Sequence, residues 1–176
     1  PALPPVLTNW NPDGTRSYYL GRTPARLGVG SAGVRPRTDT LLRFITDHAA
    51  AKDAVDSSVD QTIASSLGLV SLTSAARDRA EYLRRPDLGR RLSDESKEIV
   101  QKRGINAPQV QIVCCDGLSA TALNVNLPII LPKVTDGLTK AGIRVGTPFL
   151  VNMGRVVAAD EVARLTKAEV LLLFVG

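Results

Sequence analysis

Apolar residues follow two different patterns along the chain, and the pattern changes at about residue 108. Before that point, apolar residues recur at three- and four-residue steps over 39–55 and over 59–67, which predicts two helices. A third helix is predicted over 93–103, because Ser93 can cap its first turn and acidic residues follow. Thr38 is expected to cap the helix over 39–55 in the same way.

Continuous apolar runs replace this periodicity after residue 108, and such runs are typical of strands buried on both faces. They predict strands over 110–115 and 170–175, and a further strand is predicted between them over 143–151. Helices are predicted between them, over 131–141 and 160–167, with Pro132 tolerated only in a first turn. The alternation of strands and helices predicts an α/β fold with a parallel, doubly wound sheet of the Rossmann or flavodoxin-like kind.

The predicted domain organisation has three parts. Residues 1–24 are rich in Pro, Asn, Gly and Thr and have no period, which indicates an extended arm. Residues 25–107 form a small helical region, and residues 108–176 form the α/β domain. A buried parallel strand is normally followed by a loop and a covering helix. Because the sequence ends at the carboxyl end of its last predicted strand, we expect the α/β domain to be incomplete.

Composition excludes several classes of function. The 44% hydrophobic fraction of the 176 residues is that of a globular protein. A net charge of +5 and 4% aromatic residues favour an ordinary surface over a nucleic-acid-binding one. The adjacent Cys114 and Cys115 cannot build a disulfide scaffold, and the one histidine, His48, leaves almost no ligands for a His-rich metal site and is not expected to serve a Ser-His triad. No leader or membrane span is recognisable, so the expected location is the cytoplasm.

A glycine motif and a basic segment support one alternative function. Residues 28–33 match the dinucleotide pattern G-x-G-x-x-G, but Pro36 blocks the helix that this pattern requires, so we interpret the segment as a turn. The segment 84–91 is basic and is interrupted by Pro86 and Gly89. Together they define the alternative: a basic nucleotide- or nucleic-acid-binding α/β module.

Two short segments follow the first and second predicted strands, where ligands bind in open α/β sheets. Asp116-Gly117-Leu118-Ser119 follows the first, and its glycine permits close approach to a ligand. Asn152-Met153-Gly154-Arg155-Val156 follows the second. Two interpretations stay open for each segment: Asp116 and Ser119 contact a ligand or merely cap the next helix, and 152–156 contacts a ligand or forms an ordinary β-turn.

Several segments, taken in order, resemble the small subunit (light chain) of ethanolamine ammonia-lyase, and the resemblance covers about residues 22–176. The matching segments are Gly33-Val34-Arg35-Pro36-Arg37-Thr38, Leu41-Leu42-Arg43-Phe44, Asp47-His48-Ala49, Lys52-Asp53, 82–92 (Tyr-Leu-Arg-Arg-Pro-Asp-Leu-Gly-Arg-Arg-Leu), 116–119, Gly146-Thr147-Pro148-Phe149 and 154–156. Ser31 stands where the family usually has Arg, and the leading arm is unlike the family's amino end.

The resemblance implies an enzyme that splits ethanolamine into acetaldehyde and ammonia with adenosylcobalamin, whose adenosyl radical abstracts a substrate hydrogen. It implies a large TIM-barrel subunit that holds substrate and catalytic residues, and a small subunit that docks on it with cobalamin between them. No catalytic residue is then expected on this chain, and a bacterial microcompartment becomes a further possible location. The cofactor is expected to keep its own benzimidazole ligand, since the sequence lacks the Asp-x-His-x-x-Gly pattern of other cobalamin enzymes.

The resemblance also implies which residues contact the cofactor. Val156, in the Gly-Arg-Val segment, stands where the family touches cobalamin. Combined with the strand-end argument, the expected cofactor-binding residues are Asp116, Gly117, Leu118, Ser119, Gly154, Arg155 and Val156. The family's further contacts, a Glu directly after the position of Gly176 and a later Cys, lie outside this sequence.

Overall fold

A computed structural model describes residues 12–25, 27, 29 and 31–176, and the chain divides into two compact units, 1–49 and 50–176. In the first unit, helix α1 (Pro12–Leu20) occupies part of the segment expected to be extended. Proline is favoured in the first helical position because its φ angle is already helical. Trp10, an aromatic residue of the expected arm, lies outside the described residues.

A short hairpin with two residues in each strand follows in the first unit. Strand β1 (Ser31–Ala32) pairs antiparallel with β2 (Arg35–Pro36). Gly33 turns the chain between them with φ +63°, a value that glycine adopts without strain. Gly28 and Gly30 lie outside the described residues. The next helix, α2 (Thr38–Asp56), begins after Pro36, which agrees with interpreting the glycine motif as a turn.

The second unit is built on one four-stranded sheet. Its elements, in chain order after α2, are α3 (Gln61–Ser66), β3 (Val70–Thr73), α4 (Arg79–Arg84), a 3₁₀ turn (Leu88–Arg90), α5 (Asp94–Arg103), β4 (Val110–Cys115), α6 (Ala120–Lys140), β5 (Phe149–Asn152), α7 (Val156–Thr166) and β6 (Val170–Val175). All strands run parallel in the order β3-β5-β4-β6. The predicted α/β fold with a parallel, doubly wound sheet is confirmed.

Successive residues of β4 point to opposite faces of the sheet, as the pleat requires. Ile112 and Cys114 join a core cluster with α3 and α6, whereas Val113 and Cys115 join a second cluster with α5 and α7. The sheet is therefore covered by helices on both faces, which explains why β4 is apolar on both faces apart from the buried Gln111.

One strand was not predicted. Val70–Thr73 forms the edge strand β3, with its residues alternately buried and exposed. Its four residues, Val-Ser-Leu-Thr, alternate as a half-buried strand does, but the run is too short to be recognised beside the helical segments that flank it. Part of the region 25–107, which was expected to be helical, therefore belongs to the sheet.

Helix α6 was predicted wrongly. The helix expected over 131–141 starts at Ala120, so both Pro128 and Pro132 lie in its interior rather than in a first turn. Each interior proline removes a backbone hydrogen bond, but both prolines are exposed, so water can reach the carbonyls that lose a partner. The opposite face is buried at four-residue steps by Leu123, Leu127 and Leu131. That continuous buried face holds the helix together.

Two boundaries in the second half also differ from the prediction. β5 begins at Phe149 and not at residue 143, because Pro148 has no N–H to donate and only Val145 bridges to β4 before it. α7 begins at Val156 and not at residue 160. Its N-cap, Arg155, makes no capping side-chain bond, so the sequence carries no start signal there.

Other predicted boundaries are confirmed. β4 and β6 match the predicted strands residue for residue. Ser93 caps α5 by accepting a hydrogen bond from the Ser96 N–H at 3.2 Å. The start of α2 differs from the prediction, because Thr38 is its first helical residue and not the capping residue that precedes it.

Candidate ligand-binding site at the strand ends

The site begins from the topology of the two central strands. The connection after β4 leads to α6 on one face of the sheet, and the connection after β5 leads to α7 on the other face. Neighbouring parallel strands whose connections leave to opposite faces form a crevice at their carboxyl ends, where α/β proteins bind ligands. We call residues 116–119 the first rim loop and 153–155 the second rim loop, and these loops with Val156 the rim.

Asp116 joins the two rim loops. Its Oδ2 accepts the Met153 N–H at 2.9 Å, and its Oδ1 accepts the Gly154 N–H at 3.1 Å. Arg79 of α4 lies 3.3 Å from the same Oδ2. The residue is 3% exposed, and burial raises the pKa of its carboxyl, while the two N–H donors and Arg79 act in the lowering direction. The carboxylate therefore bridges the loops and does not cap α6.

The second rim loop is tight for reasons of backbone conformation. Met153 has φ +53°, a left-handed value that costs a residue with a side chain about 1 kcal/mol. Gly154 lies so close to Val151 that a Cβ added to the glycine would lie 2.7 Å from Cγ1 of the valine. The loop thus depends on a glycine at one position and on the Asp116 hydrogen bond at the other.

The first rim loop is held by α4 through the carbonyl of Gly117, whose φ is +54°. The Tyr82 hydroxyl donates to this carbonyl at 3.0 Å, and Arg79 Nη2 donates to it at 3.3 Å. Arg79 Nη2 also donates to the carbonyl of Val55. Tyr82 is fully buried, and burial raises the pKa of its hydroxyl. The hydroxyl is therefore a neutral donor at physiological pH.

Arg155 connects the second rim loop to the same tyrosine. Its guanidinium carbon lies 4.8 Å from the centre of the Tyr82 ring, and its Nη2 donates to the Tyr82 carbonyl at 3.3 Å. Its backbone N–H donates to the Gly89 carbonyl at 2.8 Å. An added Cβ on Gly89 would lie 2.8 Å from the tyrosine ring, so only glycine fits there. The hydrogen bond between Gly89 and Arg155 therefore anchors the chain at the residue before α7.

The surface of the rim differs from its interior. Leu118 is 51% exposed and Val156 is 52% exposed. Ser119 is partly exposed and its Oγ accepts the Ala122 N–H at 3.3 Å, so Ser119 caps α6, which is one of the two interpretations left open for it. The turn over 152–156 is the connection into α7, whose first turn has no side-chain cap. The rim therefore presents two apolar side chains together with polar backbone groups.

The seven predicted site residues thus fall into two groups. Both segments meet at the same edge of the sheet, as expected for the carboxyl ends of parallel strands. Leu118, Ser119, Arg155 and Val156 have exposed or partly exposed surface, whereas Asp116, Gly117 and Gly154 are buried beneath them. Whether any of them contacts a ligand stays a prediction.

Sequence reasoning missed Arg79 and Tyr82. Both lie on α4, more than thirty residues before the rim loops that they contact, so no local pattern connects them to the site. The available signal was Tyr82 itself, an aromatic residue in a basic segment and one of only three tyrosines. It opens the segment 82–92 that carries part of the family resemblance.

The structure also describes the histidine, the two cysteines and the basic segment that were singled out from the sequence. His48 is exposed on α2, where its ring stacks on Phe44 with 6.2 Å between ring centres. Cys114 and Cys115 are buried on opposite faces of the sheet, as predicted, and burial raises the pKa of both thiols to about 12. In the basic segment, Arg85 is paired with Asp87 at 2.8 Å.

The fold defines a class, the doubly wound α/β domains, and the rim lies at the edge of the sheet where such domains bind ligands. Family comparison specifies it further. Residues 17–176 match the model of the family described as "Ethanolamine ammonia-lyase light chain (EutC)", and the chain belongs to this family. Among the helices that the structure describes, none is both long enough and apolar enough to cross a lipid bilayer.

Two curated relatives carry the name "Ethanolamine ammonia-lyase small subunit". The one from Clostridium acetobutylicum is 44% identical over 154 residues, which are 88% of this chain and 64% of the relative. The one from Fusobacterium nucleatum subsp. nucleatum is 44% identical over 158 residues, which are 90% of this chain and 54% of the relative. The chain therefore spans between half and two thirds of the length of these relatives.

Proposed function

We propose that this chain acts in the small subunit of an adenosylcobalamin-dependent ethanolamine ammonia-lyase and that its rim contacts the cobalamin at the interface with a large, catalytic subunit. The observation that carries the proposal is the family match over residues 17–176, since the named relatives are small subunits of this enzyme. Small subunits act with a partner, so the proposal includes a hetero-oligomer.

The rim fits a corrinoid in its chemistry. Cobalamin presents a broad, largely apolar ring face with amide groups around its edge, and such a ligand needs apolar contact and a few placed hydrogen-bonding groups. The exposed Leu118 and Val156 offer the apolar contact. The uncapped first turn of α7 offers N–H groups to amide oxygens, and Ser119 offers a hydroxyl.

The role proposed for this chain is to bind and orient, not to perform acid–base chemistry. The one carboxylate at the rim, Asp116, is occupied by Arg79 and by two backbone N–H groups. Ser119 is used as a helix cap. When bound, adenosylcobalamin supplies the radical chemistry, and the residues that act on substrate are proposed to lie on the large subunit.

Val156→Asp tests the proposal directly. A charged carboxylate against a corrin face loses apolar contact and its own hydration, so we expect adenosylcobalamin affinity of the complex with the large subunit to fall about tenfold or more. An acidic residue in the first turn of α7 is compatible with the helix dipole, so folding should be preserved. Binding is followed through the visible absorption spectrum of the corrin.

Val125→Asp is the matched control. Val125 is an exposed valine on α6 and is 62% accessible, so the same change introduces the same charge outside the rim. We expect it to leave cofactor affinity unchanged. Equal losses in both variants, or no loss in Val156→Asp, would contradict the proposed contact.

The identity of the axial cobalt ligand is a separate test. We propose that bound cobalamin keeps its benzimidazole, and spin resonance of the complex with isotope-labelled histidine measures this. The absence of splitting from a protein imidazole is the expected result. Splitting that disappears in His48→Ala would overturn it, since His48 is the one histidine of this chain.

A further inference from the structure

We infer that Asp116 is a positioning residue, which with Arg79 and Tyr82 holds the two rim loops in the arrangement that presents Leu118 and Val156. The inference rests on the proposed function only in the identity of the ligand. The arrangement itself is a property of residues 79–90, which we call the supporting segment, and of the two rim loops.

The hydrogen bonds of Asp116 are the first support for this role. The carboxylate uses one oxygen for each of two successive N–H groups, of Met153 and Gly154, at 2.9 and 3.1 Å. A neutral amide in its place has one accepting oxygen, and its NH₂ group would face an N–H donor. Asn is therefore unable to make both bonds, although it has nearly the same shape.

Backbone conformation is the second support. Met153 is held at φ +53°, which is unfavourable for a residue with a side chain. The hydrogen bond from its N–H to Asp116 fixes the peptide that precedes this angle. Two residues later the chain must enter α7 at Arg155, so the direction of Met153 determines where Val156 emerges.

The contacts of the supporting segment are the third support, because this one segment hydrogen-bonds to both rim loops. Tyr82 and Arg79 bind the Gly117 carbonyl in the first rim loop. The Gly89 carbonyl accepts the Arg155 N–H directly before α7, and the Arg155 side chain returns to Tyr82. All these groups are buried or partly buried, so the contacts are shielded from water.

Asp116→Asn in the full chain is the decisive variant, and Asp136→Asn on the exposed side of α6 is its matched control. In NMR spectra of the chain alone, we expect the methyl signals of Leu118 and Val156 and the amide signals of Met153 and Gly154 to shift in Asp116→Asn and not in Asp136→Asn. In complex with the large subunit, adenosylcobalamin affinity should fall about tenfold, the size expected for losing one charged hydrogen bond.

Met153→Gly separates positioning from general destabilisation. Glycine adopts the left-handed φ without strain, so it weakens the need for the Asp116 hydrogen bond. We expect Asp116→Asn to shift the Leu118 and Val156 methyl signals, and to reduce affinity, by less in the Met153→Gly background than in the unmodified chain. Strictly additive effects in this double-mutant cycle would overturn the role assigned to Asp116.

Two further outcomes keep the inference separate from the proposed function. Unshifted Leu118 and Val156 methyl signals in Asp116→Asn refute the positioning role, whatever the ligand is. Shifted signals in a chain whose complex never binds adenosylcobalamin refute the proposed function and leave the positioning role supported. Should Asp116→Asn fail to fold, Tyr82→Phe removes only the hydroxyl bond to Gly117, and the same methyl signals are expected to shift.

Discussion

Strands β4 and β6 each have six residues, all apolar except Gln111 of β4, and lie side by side in register, from the Val110–Val170 pair to the Cys115–Val175 pair. β4 is buried along its whole length, whereas β6 is exposed at both ends and half-buried between them. β4 has a strand on each side, but β6 has β4 alone as a neighbour in the described sheet. Position in the sheet, and not apolar character alone, therefore sets how deeply each residue is buried, and we expect burial to set its contribution to stability.

The largest difference in the free energy of unfolding is expected between Ile112→Ala and Leu172→Ala. The two residues are paired across β4 and β6, and both pack in the same core cluster. Both changes remove three carbons. We expect Ile112→Ala to lower the free energy of unfolding by about 3 kcal/mol and Leu172→Ala by about half of that, because only the first leaves a fully enclosed cavity. Urea denaturation of both variants measures this, and equal losses would contradict the comparison.

Thiol reactivity gives the next contrast, between Cys115 and a thiol introduced by Val175→Cys. Val175 is 51% exposed and lies opposite Cys115 in the ladder. We expect the introduced thiol to react with a maleimide about a hundredfold faster than either native cysteine, because native ones react only when the sheet opens. Comparable rates in the folded state would show that β4 is not protected.

Alkaline pH should weaken the β4 core in particular. Burial raises the pKa of Cys114 and Cys115 to about 12, above their ordinary value. Well below pH 9 the thiols are protonated in folded and unfolded chains alike, so they add no pH dependence. Between pH 9 and 12 the unfolded chain loses their protons first, so stability falls as pH rises. Cys115→Ala should reduce that slope, as measured by urea denaturation across this range.

The smallest effects on the free energy of unfolding are expected for substitutions at the first residues of β4 and β6. Val110→Thr places a hydroxyl in a buried position and should cost about 1.5 kcal/mol. Val170→Thr, at an exposed position of the same register pair, should stay within about 0.5 kcal/mol of the unmodified chain. Thermal unfolding of both variants distinguishes them, and a large loss at Val170 would show that the edge of β6 is covered in solution.

Local patterns were sufficient for several elements. β4 and β6 were predicted residue for residue because a strand buried in a parallel sheet leaves a continuous apolar run. α5 was predicted because Ser93 carries its own capping signal. The α6 prediction failed because it applied the general rule that proline is excluded from helix interiors. Both prolines lie on the exposed face of α6, and the packing of the opposite face, which stabilises the helix, is not part of that rule.

The candidate site was predictable in its location but not in its construction. That Asp116 and Gly154 meet follows from strand ends sharing one edge of a parallel sheet. That Asp116 bridges the loops and Arg79 supports it follows from contacts between residues 37 positions apart, which leave no local signal.

The amino-acid sequence by itself determined the α/β class, the positions of its two longest strands and the edge at which a ligand is expected, because periodicity and turn chemistry are local properties of the chain. The tertiary structure alone decided the strand order, the greater burial of β4 than of β6, and the support of the rim by α4. These depend on which distant segments pack together, and that is set by the shared burial of many side chains rather than by any one of them.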